Sequence, residues 1–164
     1  MKKKTKALFL DCDGVLNKYS DFEENAKMLL KLIENGHKLK DKQQYEVLNN
    51  DMVKRYKRMV KGFAGEVTIV LSSTWRCHPN LMEFLQHRGI KFDDVTLDFH
   101  GYRDYGNRGD EVMDWLCRHP EVTKYAIVDD VNDFWKDQFD HLVQTDWHVG
   151  LQNKHVKKIK ALLK

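Results

Sequence analysis

The strongest constraint on this chain is a set of short apolar runs, Lys6–Leu10, Val67–Leu71 and residues 125–128. Runs of this kind mark strands covered on both faces, as in a parallel sheet flanked by helices. Two of them end in acidic pairs: Asp11-Cys12-Asp13-Gly14 follows the first, and Asp129-Asp130 follows the third. In an open parallel sheet the carboxyl ends of the strands line one crevice, where residues distant in sequence converge. Carboxylates gathered there repel one another unless a proton or a cation intervenes. A hard divalent ion such as Mg²⁺, which favours oxygen ligands, meets that need.

Weaker strand patterns cover residues 95–99 and 142–145, and helical periodicity fills the intervals. Residues 51–63 put Met52, Tyr56, Met59, Val60 and Phe63 on one stripe, with Gly62 or Gly65 to end it. Residues 79–88 open with a proline suited to a first turn, and Arg108–Arg118 stops before His119-Pro120. Residues 153–163 present Val156, Ile159, Leu162 and Leu163 to the body. This alternation predicts a single α/β three-layer domain over residues 1–164, with a helical insert at about residues 18–50. In the insert, Ser20-Asp21-Phe22-Glu23 has the spacing of a capping box. Phe22, Ala26, Leu29, Leu30 and Ile33 form its apolar face, Gly36 is the stop, and residues 38–44 read as a polar loop.

A chain of 164 residues is long enough to bury a substantial core as one domain. The lysine-rich start is followed by too short an apolar run for a signal peptide, and no stretch is long enough to span a membrane. Cys12, Cys77 and Cys117 are odd in number and lack a paired spacing, which fits reduced thiols in the cytoplasm. Net charge is only +3 but unevenly spread. Basic residues outnumber acidic ones over residues 27–61, and residues 154–164 carry five lysines and no carboxylate. Polyanions, including DNA or RNA ends, are therefore candidate partners, and a solvated lysine-rich surface is the plainer reading.

On a strand end, residues two apart point to the same side, so Asp11 and Asp13 address one ligand while Cys12 turns toward the core. Gly14 permits the sharp departure that exposes them. A calcium loop needs further oxygen ligands and a glutamate at fixed offsets that Val15-Leu16-Asn17 does not begin to supply. The histidines show no convincing zinc spacing.

Four ordered blocks resemble the haloacid dehalogenase superfamily of phosphohydrolases. They are Phe9-Leu10-Asp11-Cys12-Asp13-Gly14-Val15-Leu16-Asn17, Ile69-Val70-Leu71-Ser72-Ser73-Thr74-Trp75-Arg76, Asn107-Arg108-Gly109-Asp110-Glu111-Val112 and Ala126-Ile127-Val128-Asp129-Asp130. Within the superfamily the chain is most similar to the small phosphatase domains of nucleic-acid end-healing and RNA-repair proteins. The resemblance implies a Rossmann-like fold with a central parallel sheet, capless or with a small helical insert. It implies Asp11 as the nucleophile that forms an aspartyl-phosphate and Asp13 as general acid/base, with a backbone carbonyl facing the metal. Asp130 matches a third metal ligand supported by Asp129, and the two can exchange roles. Ser72 or its neighbours Ser73 and Thr74, together with Arg108, match the groups that hold phosphoryl oxygens.

Arg76 is a further candidate, able to grip a substrate phosphate through a bidentate fork or to pair with an acidic side chain. Trp75 could stack on a base or sugar, or belong to the core. The expected activity is a Mg²⁺-dependent phosphomonoesterase, with a polynucleotide 3′-phosphatase as the substrate reading. A phosphatase of nucleotides or other small molecules, and a noncatalytic phosphate- or protein-binding module, are the alternatives.

Overall fold

The computed structural model describes residues 4–18, 22–35, 47–99 and 106–164, and at residues 22–26 and 35 the backbone alone. Among the described residues five strands form an all-parallel sheet: β1 (Lys6–Leu10), β2 (Val67–Leu71), β3 (Asp94–Val95), β4 (Lys124–Asp129) and β5 (Leu142–Gln144). Their spatial order is β3-β2-β1-β4-β5. The chain thus builds outward from β1 to one edge, then crosses back to lay β4 and β5 on the other side. The reversal falls between β1 and β4, where an open α/β sheet leaves a crevice at its carboxyl edge.

The helices are α1 (Phe22–Asn35), α2 (Asn50–Lys61), α3 (Pro79–His87), α4 (Arg108–Arg118) and α5 (Asn153–Leu162). Side chains alternate along β1, so Leu8 and Leu10 join one core while Ala7 and Phe9 join another. The larger core takes Met28 and Leu32 from α1, Tyr56 and Met59 from α2, Leu81 and Phe84 from α3 and Ile159 from α5. The smaller core closes on Val112 and Trp115 of α4. The apolar runs read from the sequence are therefore strands covered on both faces. The described part of the insert contributes to the larger core, and Asn80 of α3 donates from Nδ2 to the Ile33 carbonyl at 2.6 Å.

Helix starts follow side-chain chemistry. The Asn49 side chain accepts hydrogen bonds from the amides of Asp51 and Met52, and the Asn107 side chain accepts from Asp110. Gly62 caps α2 in an ordinary helical conformation (φ −70°), while Gly65 (φ +79°) makes the left-handed turn into β2. The strand expected at 95–99 is shorter and earlier, because past Thr96 the chain turns to offer the Leu97 carbonyl to Arg76 at 2.9 Å. Two 3₁₀ turns, Thr74–Cys77 and Lys136–His141, were not anticipated from periodicity. The capping box at Ser20, the stop at Gly36 and the loop at 38–44 lie outside the described residues. No described helix is long and apolar enough to cross a membrane.

Phe9 is fully buried and meets Trp115 edge-on at 5.3 Å between ring centroids and Tyr125 at 6.1 Å. Phe9→Ala is expected to cost about 3–5 kcal/mol, from lost burial and the remaining cavity. Chemical denaturation reads this as a lower midpoint with an unchanged slope.

Candidate active site

The sheet ladder runs one residue beyond three strands. Asp11 N donates to the Val128 carbonyl at 3.0 Å, Ser72 N to Leu10 at 2.9 Å and Thr145 N to Asp129 at 2.8 Å. These bonds fix the backbone of the first acid, the serine and the second acid pair at one edge. The loop after β1 then turns through Gly14 (φ +63°), where an added Cβ would lie 2.5 Å from the Asp130 side chain. Only glycine permits both that conformation and that approach, so the two acidic segments meet because residue 14 has no side chain. The turn is further held by Gly14 N donating to Asn17 Oδ1 at 2.9 Å and by the Thr145 hydroxyl donating to the Gly14 carbonyl at 2.8 Å.

Asp11, Asp129 and Asp130 each direct one carboxylate oxygen into a group whose members lie within 4.8 Å of one another. Asp11 and Asp129 are buried and Asp130 is half-buried. Burial, and then the charge of Asp129, hold Asp11 well above the ordinary carboxylate range, against the pull of Arg108. Burial pushes Asp129 up to about 7, again against Arg108, and it also raises Asp130.

Arg108, at the first turn of α4, reaches across the crevice. Its Nη2 lies 3.3 Å from Asp11 Oδ1 and its Nε 3.8 Å from Asp129 Oδ2. Burial opposes its charge, yet Asp11 and Asp129 raise its pKa above the usual value, so it stays a cation. One guanidinium among these three carboxylates leaves negative charge in excess. Asp129 Oδ2 is buried and accepts no hydrogen bond. An all-oxygen cluster with such an orphaned atom fits a hard divalent cation.

The Asp13 carboxylate stands outside that cluster and is gripped at both oxygens. Trp75 Nε1 donates to Oδ2 at 2.9 Å, and Asn17 Nδ2 donates to Oδ1 at 2.7 Å. Trp75 is therefore a core residue with a polar edge at the site, not a stacking surface for substrate. Ser72 and Ser73 divide their work. Ser73 caps the following 3₁₀ turn and hydrogen-bonds Asp11, whereas the Ser72 hydroxyl is buried without a partner. Thr74 is exposed.

The expectation that Arg76 grips substrate is corrected here. Its guanidinium is buried and committed to protein: Nη2 pairs with Glu111 at 2.7 Å, and Nη1 donates to the carbonyls of Ser72 and Ser73 at 3.0 and 2.7 Å. Arg76 thus ties the serine turn to α4. Asn17, Glu111 and Thr145 complete these supports and were not singled out from the sequence, since their partners are set by folding. Asp133 adds another, its carboxylate and carbonyl accepting from the first amides of α4 at Arg108 (3.4 Å) and Gly109 (3.1 Å). Only a capping signal, an Asp ahead of a helical stretch in space, could have pointed to it.

A parallel sheet with this strand order, carrying an acidic cluster at its switch point, is consistent with a Rossmann-like domain of the haloacid dehalogenase (HAD) class. The chain belongs to one family of that class, matched over residues 7–156 and described as the HAD domain in Swiss Army Knife RNA repair proteins. No curated protein and no solved structure matches it significantly.

The raised Asp129 carboxyl makes a linked prediction. Its folded pKa of about 7 exceeds the unfolded value of 3.8, so its contribution to stability is full below about pH 3.8 and is lost as pH rises through 7. With chelator present, Asp129→Asn should gain stability relative to the parent protein between pH 5 and pH 8 in thermal melts. Added Mg²⁺ should raise the parent melting temperature more at pH 8 than at pH 5. A pH-independent difference would place the Asp129 charge elsewhere.

Proposed function

We propose that this domain is a Mg²⁺-dependent phosphomonoesterase that works through an aspartyl-phosphate on Asp11. The observation that carries the reading is the juxtaposition of the buried Asp11 carboxylate with Arg108 and Ser72. The Arg108 Nη1 and the Ser72 hydroxyl are buried polar groups with no protein partner, as donors awaiting an anion would be. An Asp11 oxygen attacks phosphorus while the bond to the leaving oxygen breaks, and Asp13 supplies the proton that oxygen needs. Asp13 then removes a proton from water as it attacks phosphorus and releases Asp11. Asp11, Asp129, Asp130 and the Asp13 carbonyl would hold Mg²⁺, which supplies positive charge against the phosphate. Trp75 and Asn17 keep the Asp13 carboxyl in one orientation through both proton transfers.

Asp11→Asn is expected to abolish turnover with the fold intact, and EDTA to abolish it reversibly on adding Mg²⁺. Trp75→Phe keeps an aromatic ring in the core but removes the donor on Asp13, so kcat should fall roughly tenfold or more with little change in KM. Steady-state kinetics on a small phosphoester test all three. Near-normal hydrolysis by Asp11→Asn would defeat the mechanism.

For the substrate we infer a 3′-phosphorylated nucleic-acid end. Membership of an RNA-repair family supports this, as does the excess of basic residues on α2 and α5. Of the basic residues on α2, Arg55 is engaged internally, donating to the Leu151 carbonyl at 2.6 Å and to Asn153 Oδ1 at 3.1 Å, while Lys54 and Arg58 are exposed. An oligonucleotide 3′-phosphate should be hydrolysed with higher kcat/KM than a mononucleotide, and the advantage should shrink as salt rises, because bound counterions are released on association. Matching efficiencies and salt slopes for the two would reject the polynucleotide and leave a small-molecule phosphatase.

A further inference from the structure

We propose that Trp147, on the turn between β5 and α5, is the stacking platform for the nucleoside next to the phosphorylated end of a single-stranded nucleic acid. From there the strand runs along the basic face shared by α2 and α5. The inference deepens the polynucleotide reading and rests on it for where the phosphate sits.

The turn is fastened to the catalytic loop at both ends. At one end the Thr145 hydroxyl donates to the Gly14 carbonyl. At the other, Leu151 N donates to the Val15 carbonyl at 2.9 Å, and Gly150 packs so closely that an added Cβ would lie 3.1 Å from that same carbonyl. Between these anchors Asp146 closes the turn, its side chain accepting from His148 N at 2.8 Å and its carbonyl from Val149 and Gly150 at 2.9 and 2.7 Å. The rigid segment carries Trp147 at 51% exposure and Val149 at 38%, with the His148 ring edge-on to Trp147 at 5.1 Å. A large aromatic ring displayed in water on a turn hydrogen-bonded to the Asp11–Asn17 loop is what base stacking uses, since every base has a π-face.

Charge identifies the occupant. Both α2 and α5 begin at the carboxyl edge of the sheet, next to this turn, because Asn49 N donates to the Leu16 carbonyl and Leu151 N to Val15. The two helices pack together, bridged by Arg55. Asp51 is the sole acid on α2 and α5 carries none, while Lys54, Arg58, Lys154 and Lys157 are exposed along them. At 1.5 Å per residue, Arg58 lies about 12 Å from the start of α2, so the basic face leads away from the site. The other exposed tryptophan, Trp135, lies over α4, its indole N–H donating to Asp110 at 2.9 Å and its groove lined by Met113, Lys136 and Asp137, away from the turn between β5 and α5.

Binding is tested without turnover, in Asp11→Asn, using a 3′-phosphorylated single-stranded oligonucleotide and inorganic phosphate as probes. Fluorescence anisotropy and intrinsic tryptophan quenching are the readouts. Adding Trp147→Ala should weaken oligonucleotide binding about tenfold while phosphate affinity stays the same. Trp147→Phe should keep affinity within about threefold yet remove most of the quenching, and Trp135→Phe should leave the quenching in place. Lys154→Ala should lower the slope of log affinity against log salt by roughly 0.7–0.9. Quenching intact in a protein whose wild type hydrolyses no phosphoester would count for this surface and against the phosphatase. Absence of oligonucleotide binding, or full affinity in Trp147→Ala with quenching surviving Trp147→Phe, overturns the proposal. So does a change in oligomeric state in Trp147→Ala with oligonucleotide affinity unaltered, which would give the surface to a second copy of the chain.

Discussion

Negative charge is buried faster than positive charge is supplied at the carboxyl edge of this sheet, and the surrounding architecture answers to that imbalance. Asp11, Asp129 and half-buried Asp130 share a small volume with Arg108. Left to themselves, like charges at that distance would separate or take up protons. They are held because each sits on, or next to, a strand whose backbone is paired on both sides, and because Gly14 lets Asp130 approach the first loop. The fold thus stores a demand for a cation, and the raised carboxyl pKa values are its chemical expression.

Around that centre lies a set of contacts that touch no acid of the cluster yet decide its geometry. Arg76 and Glu111 bind the serine turn of β2 to α4 through a buried ion pair. A pair of this kind adds little net stability, but it leaves few alternative arrangements for the groups it ties. Thr145 does the same for the loop after β1, using β5 as the anchor. Trp75 belongs to the larger core and to the site at once, its ring packed while its N–H orients Asp13. Packing and site geometry are therefore coupled: a change that loosens the core beneath Trp75 also frees the Asp13 carboxyl.

The distribution of surface charge follows from topology in the same way. The helices α2 and α5 are far apart in sequence but start side by side at the carboxyl edge, because each returns antiparallel to the strands. Two modest lysine-rich segments thereby become one basic face. The opposite side of the sheet, around α4 and the 3₁₀ turn at Lys136–His141, keeps more carboxylates, among them Asp110, Asp114 and Asp137. On the proposed polynucleotide reading, a polyanion approaching the crevice would meet an asymmetric field, one that steers association.

Much of this was legible in the chain. Apolar runs at Lys6–Leu10, Val67–Leu71 and residues 125–128 determined the central strands, because a strand buried on both faces must be apolar along its length. The Asp-x-Asp-Gly turn and the second acid pair pointed to the edge where Asp11, Asp129 and Asp130 converge, since residues closing parallel strands share one edge. Beyond local pattern, the sequence was mute. The short β3, the commitment of Arg76 to Glu111 rather than to a ligand, and the grip of Trp75 and Asn17 on Asp13 were decided only in the folded protein. Periodicity reports which face of an element is buried. It does not report which polar group will lie within 3 Å of which other, because that distance is set by how separate elements dock, through contacts such as the one that spans 131 residues of chain between Thr145 and Gly14.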